Sequence, residues 1–188
     1  RYLADTMYKM GRENQIYDKL ISEKLPATGK KIAVVGAGPA GLTAAFYLVR
    51  LGHDVTVYDA HPKAGGVLRY GIPGYRLPKE ILDKELQVFK KLGVKFVFNK
   101  NLGTDIHIDK LSKENDAVFM AVGSYHHMDL DISGYDLKGV IQGTELLENM
   151  EKDRTVPKGK KVAIIGGGNV AIDTARSLWR AGTDVTVV

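Results

Sequence analysis

Residues 29–59, GKKIAVVGAGPAGLTAAFYLVRLGHDVTVYD, decide the fold of this chain. They run as an apolar strand, a glycine turn, a helix and a second strand that ends in an acidic residue. Gly36, Gly38 and Gly41 have the G-x-G-x-x-G spacing of a dinucleotide-binding β-α-β unit. The first glycine permits the tight turn, the second lets backbone approach a pyrophosphate, and the third lets the helix pack close to the sheet.

Two further residues fit the same unit. Pro39 stands at the first helical position, where its missing N–H costs nothing, and the free amides beside it face an anion. Asp59 closes the second strand, which is where such units place a carboxylate that binds ribose hydroxyls. We therefore predict that the turn binds a pyrophosphate and that Asp59 binds a ribose.

The same pattern occurs a second time, beginning at Gly159. Residues 159–188 align with residues 29–58 without a gap, and 14 of the 30 aligned pairs are identical. The second copy carries Gly166, Gly168 and Ala171, the G-x-G-x-x-A variant of the motif. The more specific interpretation is that the chain binds two dinucleotides. The alternative is a pair of buried β-α units whose small residues serve packing alone.

The repeat predicts an α/β chain with two Rossmann-like dinucleotide-binding domains, the second of them incomplete. We expect a helical linker over 1–28, the first dinucleotide domain over 29–156 and the start of the second over 157–188. Because one strand, one helix and one strand cannot close a doubly wound sheet, we expect the chain to be part of a longer polypeptide.

The segment between the two copies contains an unusual loop at residues 60–78, AHPKAGGVLRYGIPGYRLP. It is longer than ordinary connections, which indicates a functional role. The Gly65-Gly66 pair would let backbone approach a flat ligand, and Arg69 and Arg76 offer guanidinium groups to phosphates. A rigid surface loop with solvated arginines is the alternative.

Periodicity predicts the remaining elements. We expect helices over 1–25, 79–92, 109–115 and 144–152 and a strand over 94–98. The wholly apolar residues 117–122 predict a buried parallel strand. That strand leads to Gly123, at the carboxyl edge where doubly wound sheets bind ligands.

Composition excludes several classes of function. The net charge of +5 could indicate a nucleic-acid partner, but the lysines are scattered and no aromatic residues alternate with them. The chain has no cysteine, so these residues form neither a disulfide framework nor a redox dithiol. The uncharged run at 32–49 is interrupted by glycine and proline, which argues against a membrane span. His126 and His127 lack further ligands nearby, so we predict no metal site. Cytoplasm is the expected location.

Four segments carry a family resemblance: GAGPAGL, YDAHPKAGGVLRYGIPGYRLPKEI, DAVFMAVGS and GKKVAIIGGGNVAIDTARSL. Together they are similar to the small (beta) subunit of NADPH-dependent glutamate synthase. The same architecture occurs in related NADPH:ferredoxin-type oxidoreductase subunits and in the N-terminal half of dihydropyrimidine dehydrogenase. The resemblance covers residues 29–188, and the GG-x-L-R-Y-G-I-P loop is more specific than either glycine turn.

The resemblance implies FAD at the first turn and NADP (or NAD) at the second. The residues it implies for the FAD pyrophosphate are Gly36, Gly38, Pro39, Ala40 and Gly41, with Asp59 at the ribose. Those implied for the rest of FAD are Gly66, Val67 and Arg76 at the flavin half or its phosphates, Leu102 at the adenine and Gly123 at the sheet edge. Those implied for the nicotinamide cofactor are Gly166, Gly167, Gly168, Asn169 and Val170.

The implied activity is a flavoprotein oxidoreductase that passes electrons from NADPH through FAD to iron–sulfur clusters or to a large catalytic partner subunit. The cofactors carry this chemistry, so we predict no catalytic side chain. We expect Asp173, one turn into the second helix, to be solvated rather than to face the flavin. Two features depart from the family pattern. The cysteine-rich iron–sulfur sequence is absent, and the position that matches Asp59 would follow Val188, so NADP is the family's preference alone.

Three other functions stay open. A disulfide reductase also has two dinucleotide domains, but it needs a cysteine pair that these residues lack. A monooxygenase or another flavin oxidoreductase would use the same two turns. A non-catalytic nucleotide-binding or assembly module is of a different class, and it would have no need of an intact second glycine turn.

Overall fold

The computed structural model of the chain describes residues 6, 9, 18–19, 22–124, 131–153 and 161–188. The chain divides into two compact units, Arg1–Arg69 with Gly74–Gly123 and Tyr70–Pro73 with Ser124–Val188. The helices predicted over 1–25 lie largely outside the described residues, and the pair at 126 and 127 lies wholly outside them. The predicted domain boundaries at residues 28 and 156 stay a prediction.

The first unit contains a parallel four-stranded sheet with the strand order β3-β2-β1-β4. Its strands are β1 (Lys31–Val35), β2 (Asp54–Tyr58), β3 (Lys95–Val97) and β4 (Ala117–Met120). The central strands KIAVV and DVTVY are rich in β-branched residues, which suit a pleated and buried backbone. In the register of β1, Lys31 lies opposite Asp54 on β2 and Ile32 lies opposite Ala117 on β4.

Helices cover both faces of this sheet. They are α1 (Pro39–Arg50), α3 (Lys79–Leu92) and α4 (Ile108–Glu114), and a one-turn helix α2 (Val67–Tyr70) lies between α1 and α3 in sequence. Ile32 and Val34 belong to the larger core with residues of α1 and α3, whereas Ala33 and Val35 pack with Leu111 of α4. Because alternate residues of one strand are buried on opposite faces, the sheet is doubly wound, as predicted.

The second unit repeats the first β-α-β arrangement. It contains α5 (Gly143–Asp153), β5 (Lys161–Ile164), α6 (Asn169–Arg180) and β6 (Asp184–Val187). The two strands are parallel with Lys161 opposite Asp184, and the residues aligned with these in the first copy, Lys31 and Asp54, are paired in the same way. Helices α1 and α6 both have 12 residues. The predicted α/β fold with two Rossmann-like units is therefore confirmed.

One predicted strand differs from the structure. Residues 117–122 were expected to form a buried strand, but β4 ends at Met120, and Phe119 and Met120 are each 43% exposed. Among the described residues β4 pairs only with β1, so it lies at the edge of the sheet. An apolar run predicts a strand but does not fix its place in the sheet. The predicted helices over 79–92, 109–115 and 144–152 are confirmed to within one residue at each end.

Candidate functional site

The turn after β1 requires glycine at two positions because the protein packs tightly on itself there. Gly36 has a φ of 110°, and its N–H donates to the carbonyl of Tyr58 over 2.8 Å. A Cβ on Gly36 would lie 2.1 Å from the carbonyl oxygen of Ala121, and a Cβ on Gly41 would lie 1.8 Å from that of Gly36. The first and third glycines of the motif therefore have the roles that the spacing predicts.

Gly38 is different, because no protein atom requires a glycine there. Its backbone is extended, with φ −79° and ψ −173°, and a Cβ would meet only the Cα of Gly66 at an ordinary 3.8 Å. Gly38 is the N-cap of α1, and the first turn of that helix has neither a side-chain cap nor an acidic residue. Pro39 and Ala40 in this turn are exposed. The open space beside Gly38 and the positive end of the helix together suit an anionic group.

Ala37, between these glycines, is held through both of its backbone polar groups. The residue is fully buried, and its N–H donates to Oδ2 of Asp59 over 2.6 Å. Its carbonyl accepts a hydrogen bond of 2.8 Å from the N–H of Gly65. The next residue continues this contact, because a Cβ on Gly66 would lie 2.7 Å from the Cα of Gly38. Two segments that are distant in sequence therefore fix the shape of the turn.

Asp59 connects the end of β2 to this turn. Its side chain is buried, and its Oδ1 accepts a hydrogen bond of 2.8 Å from the backbone N–H of His61 and lies 3.2 Å from Nδ1 of that histidine. Burial by itself would raise the pKa of Asp59, but the hydrogen bonds from the His61 ring, the Ala37 N–H and the His61 N–H together lower the pKa below its ordinary value. Asp59 is thus an ionised side chain that holds the turn in place through its hydrogen bonds to backbone N–H groups. Its role at a ribose stays a prediction.

We expect Asp59→Asn to lower the free energy of unfolding by about 1–3 kcal/mol at pH 7, because a carboxamide cannot accept both backbone hydrogen bonds at once. The carboxylate has a lower pKa in the folded state, so its stabilising effect is full above the unfolded pKa and is lost as the pH falls through the folded pKa. The difference in the free energy of unfolding between wild type and Asp59→Asn, measured with urea, should therefore become smaller below pH 3.8, the ordinary pKa of Asp.

Asp54→Asn is the matched control for this measurement. Asp54 begins β2 and forms an exposed ion pair with Lys95 at the start of β3, the end of these strands away from the turn. We expect its loss to lower the free energy of unfolding by about 1 kcal/mol or less. If the two variants lost equal free energies of unfolding at pH 7, the role of Asp59 in holding the turn through its hydrogen bonds would be contradicted.

The loop at 60–78 corrects one sequence-based expectation. Arg69 was expected to read a phosphate or to be solvated, but it lies in α2 and is only 6% exposed. Its Nε donates to the carbonyl of Ala64 over 2.6 Å, and its guanidinium pairs with the carboxylate of Asp83 on α3. Sequence shows the charge of an arginine but not its direction, and the one-turn helix α2 directs this one inward.

The other predicted FAD residues lie at several places in the first unit. Gly123 follows β4 with a φ of 75° and is exposed, and Ala121 just before it contacts the glycine turn. Leu102 is half-buried and packs in the smaller core beside Ala33 and Val35. Val67 and Arg76 belong to the 60–78 loop and are exposed. The structure thus brings Asp59 and Gly66 to the turn and leaves the adenine and flavin contacts of the others as predictions.

The second turn reproduces the backbone geometry of the first. Gly166 has a φ of 104°, and its N–H donates to the carbonyl of Val188 over 2.8 Å. Gly168 is the N-cap of α6, with φ −75° and ψ 175° and no side-chain cap. A Cβ on Gly166, Gly167 or Gly168 would have no atom within 4 Å, and Asn169 and Val170 are exposed. Among the described residues, no atom occupies the positions where side chains would project from these three glycines.

Asp173 does not have the solvated position expected of it. It is 5% exposed, and the neighbouring Thr174 is also buried, with its hydroxyl 3.5 Å from the carbonyl of Gly143 on α5. Thr174 lies on the face of α6 that packs against α5, a contact that the helix sequence alone does not predict because its partner comes from an earlier segment.

Three residues outside the predicted set shape the first turn: Ala37, His61 and Ala121. His61 follows Asp59 at the spacing at which an aspartate accepts a hydrogen bond from backbone, so the sequence did carry a signal for it. Ala37 and Ala121 act through backbone atoms, so their residue types do not reveal these roles in the sequence. Among the described residues no cluster of three or more potential metal ligands occurs. In the described part of the chain no helix is long and apolar enough to span a bilayer.

Comparison with known proteins identifies several relatives. The chain is 46% identical over 158 residues to the NADP(+)-dependent formate dehydrogenase subunit beta of Moorella thermoacetica, a match that covers 82% of this chain and 22% of that protein. It is 36% identical over 193 residues to the glutamate synthase [NADPH] small chain of Escherichia coli, a match that covers 97% of this chain and 40% of that protein. The chain therefore spans less than half the length of these relatives, and the resemblance to glutamate synthase small subunits is confirmed.

Solved structures agree with this assignment. The chain superposes on Mycobacterium tuberculosis FprA in complex with NADPH with a TM-score of 0.67 and 28% identity, over 79% of this chain and 36% of that one. The sequence pattern of the pyridine nucleotide-disulphide oxidoreductases matches residues 30–188, which include both glycine turns. The chain belongs to the pyridine nucleotide-disulphide oxidoreductase family.

Proposed function

We propose that this chain forms the FAD-binding part and the first portion of the NADPH-binding part of a flavoprotein oxidoreductase. The observation that carries the proposal is the presence of two glycine turns with the same backbone geometry, each opening a 12-residue helix that has no side-chain cap. The names of the NADPH-dependent relatives and the NADPH complex of FprA support the choice of cofactors.

The first turn fits the pyrophosphate of FAD. The backbone beside Gly38 is open, and the amides of Ala40 and Gly41 begin a helix whose positive end no side chain of its first turn neutralises. Asp59 and Gly65 hold Ala37 in place, so the turn is already shaped before a ligand binds. A preorganised site loses less conformational entropy on binding, which favours a tightly held cofactor.

The second turn fits the pyrophosphate of a nicotinamide cofactor. Gly166, Gly167 and Gly168 are all exposed, with open space where a side chain would project. Asn169 and Val170 begin α6, and their backbone amides belong to the same open end of the helix. NADPH is proposed over NADH because the names of the relatives specify it.

FAD held at the first turn and a reduced nicotinamide held at the second would together supply hydride transfer followed by release of single electrons. The residues of this chain bind and orient the two cofactors, and we assign no catalytic side chain. The sequence contains no cysteine, so a redox-active cysteine pair is not among these residues. This favours a flavin oxidoreductase over a disulfide reductase within the family.

A partner subunit or an iron–sulfur protein is the proposed electron acceptor, because several relatives are named as subunits of larger enzymes. The large catalytic subunit of a glutamate synthase is one such acceptor. Those names include different reactions, so an NADPH:ferredoxin-type subunit with another acceptor is the second candidate. A cytoplasmic location is part of the same proposal.

The test is whether NADPH reduces a flavin that is bound to the full-length protein. We expect a yellow protein whose flavin absorption is bleached by NADPH. A protein that takes up no FAD would contradict the assignment of the first turn. A bound flavin that NADPH leaves oxidised would contradict the assignment of the second.

A further inference from the structure

Arg69 is an unusual residue, a buried arginine next to the glycine turn. It is 6% exposed, and the transfer of a guanidinium out of water is unfavourable unless its donors are hydrogen-bonded. The two bonds described above go to the carbonyl of Ala64 and to the carboxylate of Asp83. Neither partner is a ligand, so the role of Arg69 lies in what these bonds hold in place.

The first of the two bonds fixes the residue that precedes the Gly65-Gly66 pair. Gly65 has a φ of 131° and Gly66 a φ of 50°, conformations that an L side chain rarely adopts. Glycine reaches them without strain, but it also reaches many others, so a diglycine segment is mobile unless neighbouring atoms restrict it. The hydrogen bond from Nε to the Ala64 carbonyl, 2.6 Å long, supplies such a restriction at the start of the pair.

Arg69 also contacts the pair directly. A Cβ on Gly65 would lie 3.0 Å from the Cβ of Arg69 and 2.8 Å from Cδ2 of Leu82, so the side chains of these two residues pack on the Gly65 backbone. The N–H of Gly65 donates to Ala37 in the glycine turn, and Gly66 lies against Gly38. A continuous chain of contacts therefore runs from Arg69 through the diglycine to the turn.

The second bond of Arg69 supplies the fixed support. Asp83 belongs to α3, whose residues Leu82, Val88 and Leu92 are buried. A second contact joins the two helices, because the ammonium of Lys79 donates to the carbonyl of Leu68 over 3.2 Å. Helix α2 is therefore held against a helix that belongs to the core of the unit.

We propose that Arg69 is a positioning residue for the FAD site, which holds the Gly65-Gly66 pair against the glycine turn through Ala64 and takes its own support from Asp83 on α3. The inference rests on the proposed binding of FAD at this turn. It assigns Arg69 no contact with the cofactor. When the arginine is lost, the folded protein should occupy the binding-competent loop conformation only part of the time. Its apparent FAD affinity should then equal the intrinsic affinity multiplied by the fraction of molecules in that conformation.

The test compares Arg69→Met, Arg69→Lys and Asp83→Asn in the full-length protein, with Lys95→Met as the control. Lys95 forms an exposed ion pair with Asp54 far from the turn in sequence, and its loss should leave FAD affinity unchanged. FAD is removed, and its dissociation constant and release rate are then measured by flavin fluorescence. We expect Arg69→Met to weaken FAD binding about 10-fold or more and to accelerate release, while NADPH binding at the second turn stays at the wild-type level.

The other two variants separate positioning from bulk stability. Arg69→Lys retains the charge, but an ammonium cannot reproduce the planar arrangement of N–H donors in a guanidinium. We therefore expect a partial loss of FAD affinity. Asp83→Asn retains the bond to Ala64 and should weaken FAD by a smaller factor than Arg69→Met. A purely structural arginine would lower the urea midpoint of the cofactor-free protein and leave the FAD dissociation constant of the folded fraction unchanged in all three variants, which would overturn the proposal.

Two further outcomes are informative. If Arg69→Met does not fold, Arg69→Lys and Asp83→Asn decide the question, and wild-type FAD affinity in both would overturn the inference. If the wild-type protein itself binds no FAD, the proposed function fails before the role of Arg69 is reached. Wild-type binding with an equal affinity in Arg69→Met refutes the inference alone.

Discussion

Replacement of Gly41 by alanine is expected to lower the free energy of unfolding of the first unit by about 3 kcal/mol or more. The added Cβ would lie 1.8 Å from the carbonyl oxygen of Gly36, a backbone atom that cannot rotate away, and 3.3 Å from the Cβ of Ala121. Relief requires α1 to move off the sheet, although Leu42, Ala45 and Val49 bury it in the larger core. Urea unfolding followed by far-ultraviolet circular dichroism measures the loss.

Gly38→Ser is the matched control for this substitution. It places a side chain on the same turn, where a Cβ has only a contact of 3.8 Å and serine is a favourable N-cap. We expect its stability to stay within about 1 kcal/mol of wild type. A Gly41→Ala variant as stable as Gly38→Ser would show that the helix does not pack on the turn as described.

Gly38→Leu is expected to remove FAD without unfolding the protein. The extended backbone at Gly38 accepts any residue and a Cβ there meets only the Cα of Gly66 at 3.8 Å, so we expect the fold to persist. The leucine would occupy the space proposed for the pyrophosphate. The loss of two hydrogen bonds to a charged group, at roughly 1.5–3 kcal/mol each, corresponds to a fall in affinity of about 100-fold or more. The flavin content of the purified variant measures this.

The second turn supplies the control for that experiment. Gly168→Leu makes the equivalent change in the other copy of the motif, where a Cβ also has open space. We expect Gly168→Leu to retain wild-type flavin content and to weaken NADPH binding, and Gly38→Leu to show the reverse. Normal flavin content in Gly38→Leu would refute the proposed position of the pyrophosphate.

The glycines of one motif are needed for different reasons, and the variants Gly41→Ala and Gly38→Leu test these reasons separately. Gly36 and Gly41 are required by the packing of the protein on itself, because added carbons would meet backbone atoms at 2.1 and 1.8 Å. A Cβ on Gly38 would make only an ordinary contact of 3.8 Å, and we propose that this glycine is needed for the approach of the pyrophosphate. The spacing alone identifies all three glycines, and the structure assigns Gly36 and Gly41 to packing.

Local patterns predicted the fold well where the chain repeats itself. The apolar strand KIAVV, the glycine turn and the second copy at 159–188 predicted the elements of both β-α-β units. The β1–β2 pair and the β5–β6 pair have the same register, each with a lysine opposite an aspartate. What local patterns left undetermined depends on contacts between distant segments. The edge position of β4, the inward direction of Arg69 and the contact of Thr174 with α5 all depend on partners from distant parts of the sequence.

The candidate site shows the same division. Asp59 was predicted from its place at the end of the second strand, and the structure places its carboxylate on the glycine turn. Its hydrogen bonds go to the backbone of Ala37 and His61, which residue identity does not reveal. The Gly65-Gly66 pair contacts the turn, and its predicted approach to a ligand stays a prediction.

Electron transfer from NADPH to FAD can be measured by an anaerobic titration of the flavin spectrum in the full-length protein. NADPH is added in steps to the oxidised protein, a second sample receives NADH, and Gly168→Leu serves as the control with a damaged second turn. We expect NADPH to bleach the yellow flavin band at lower concentrations than NADH does, and we expect Gly168→Leu to require more NADPH. A protein that carries FAD but is reduced by neither nucleotide would contradict the claim that the two turns bind an electron donor and its flavin acceptor.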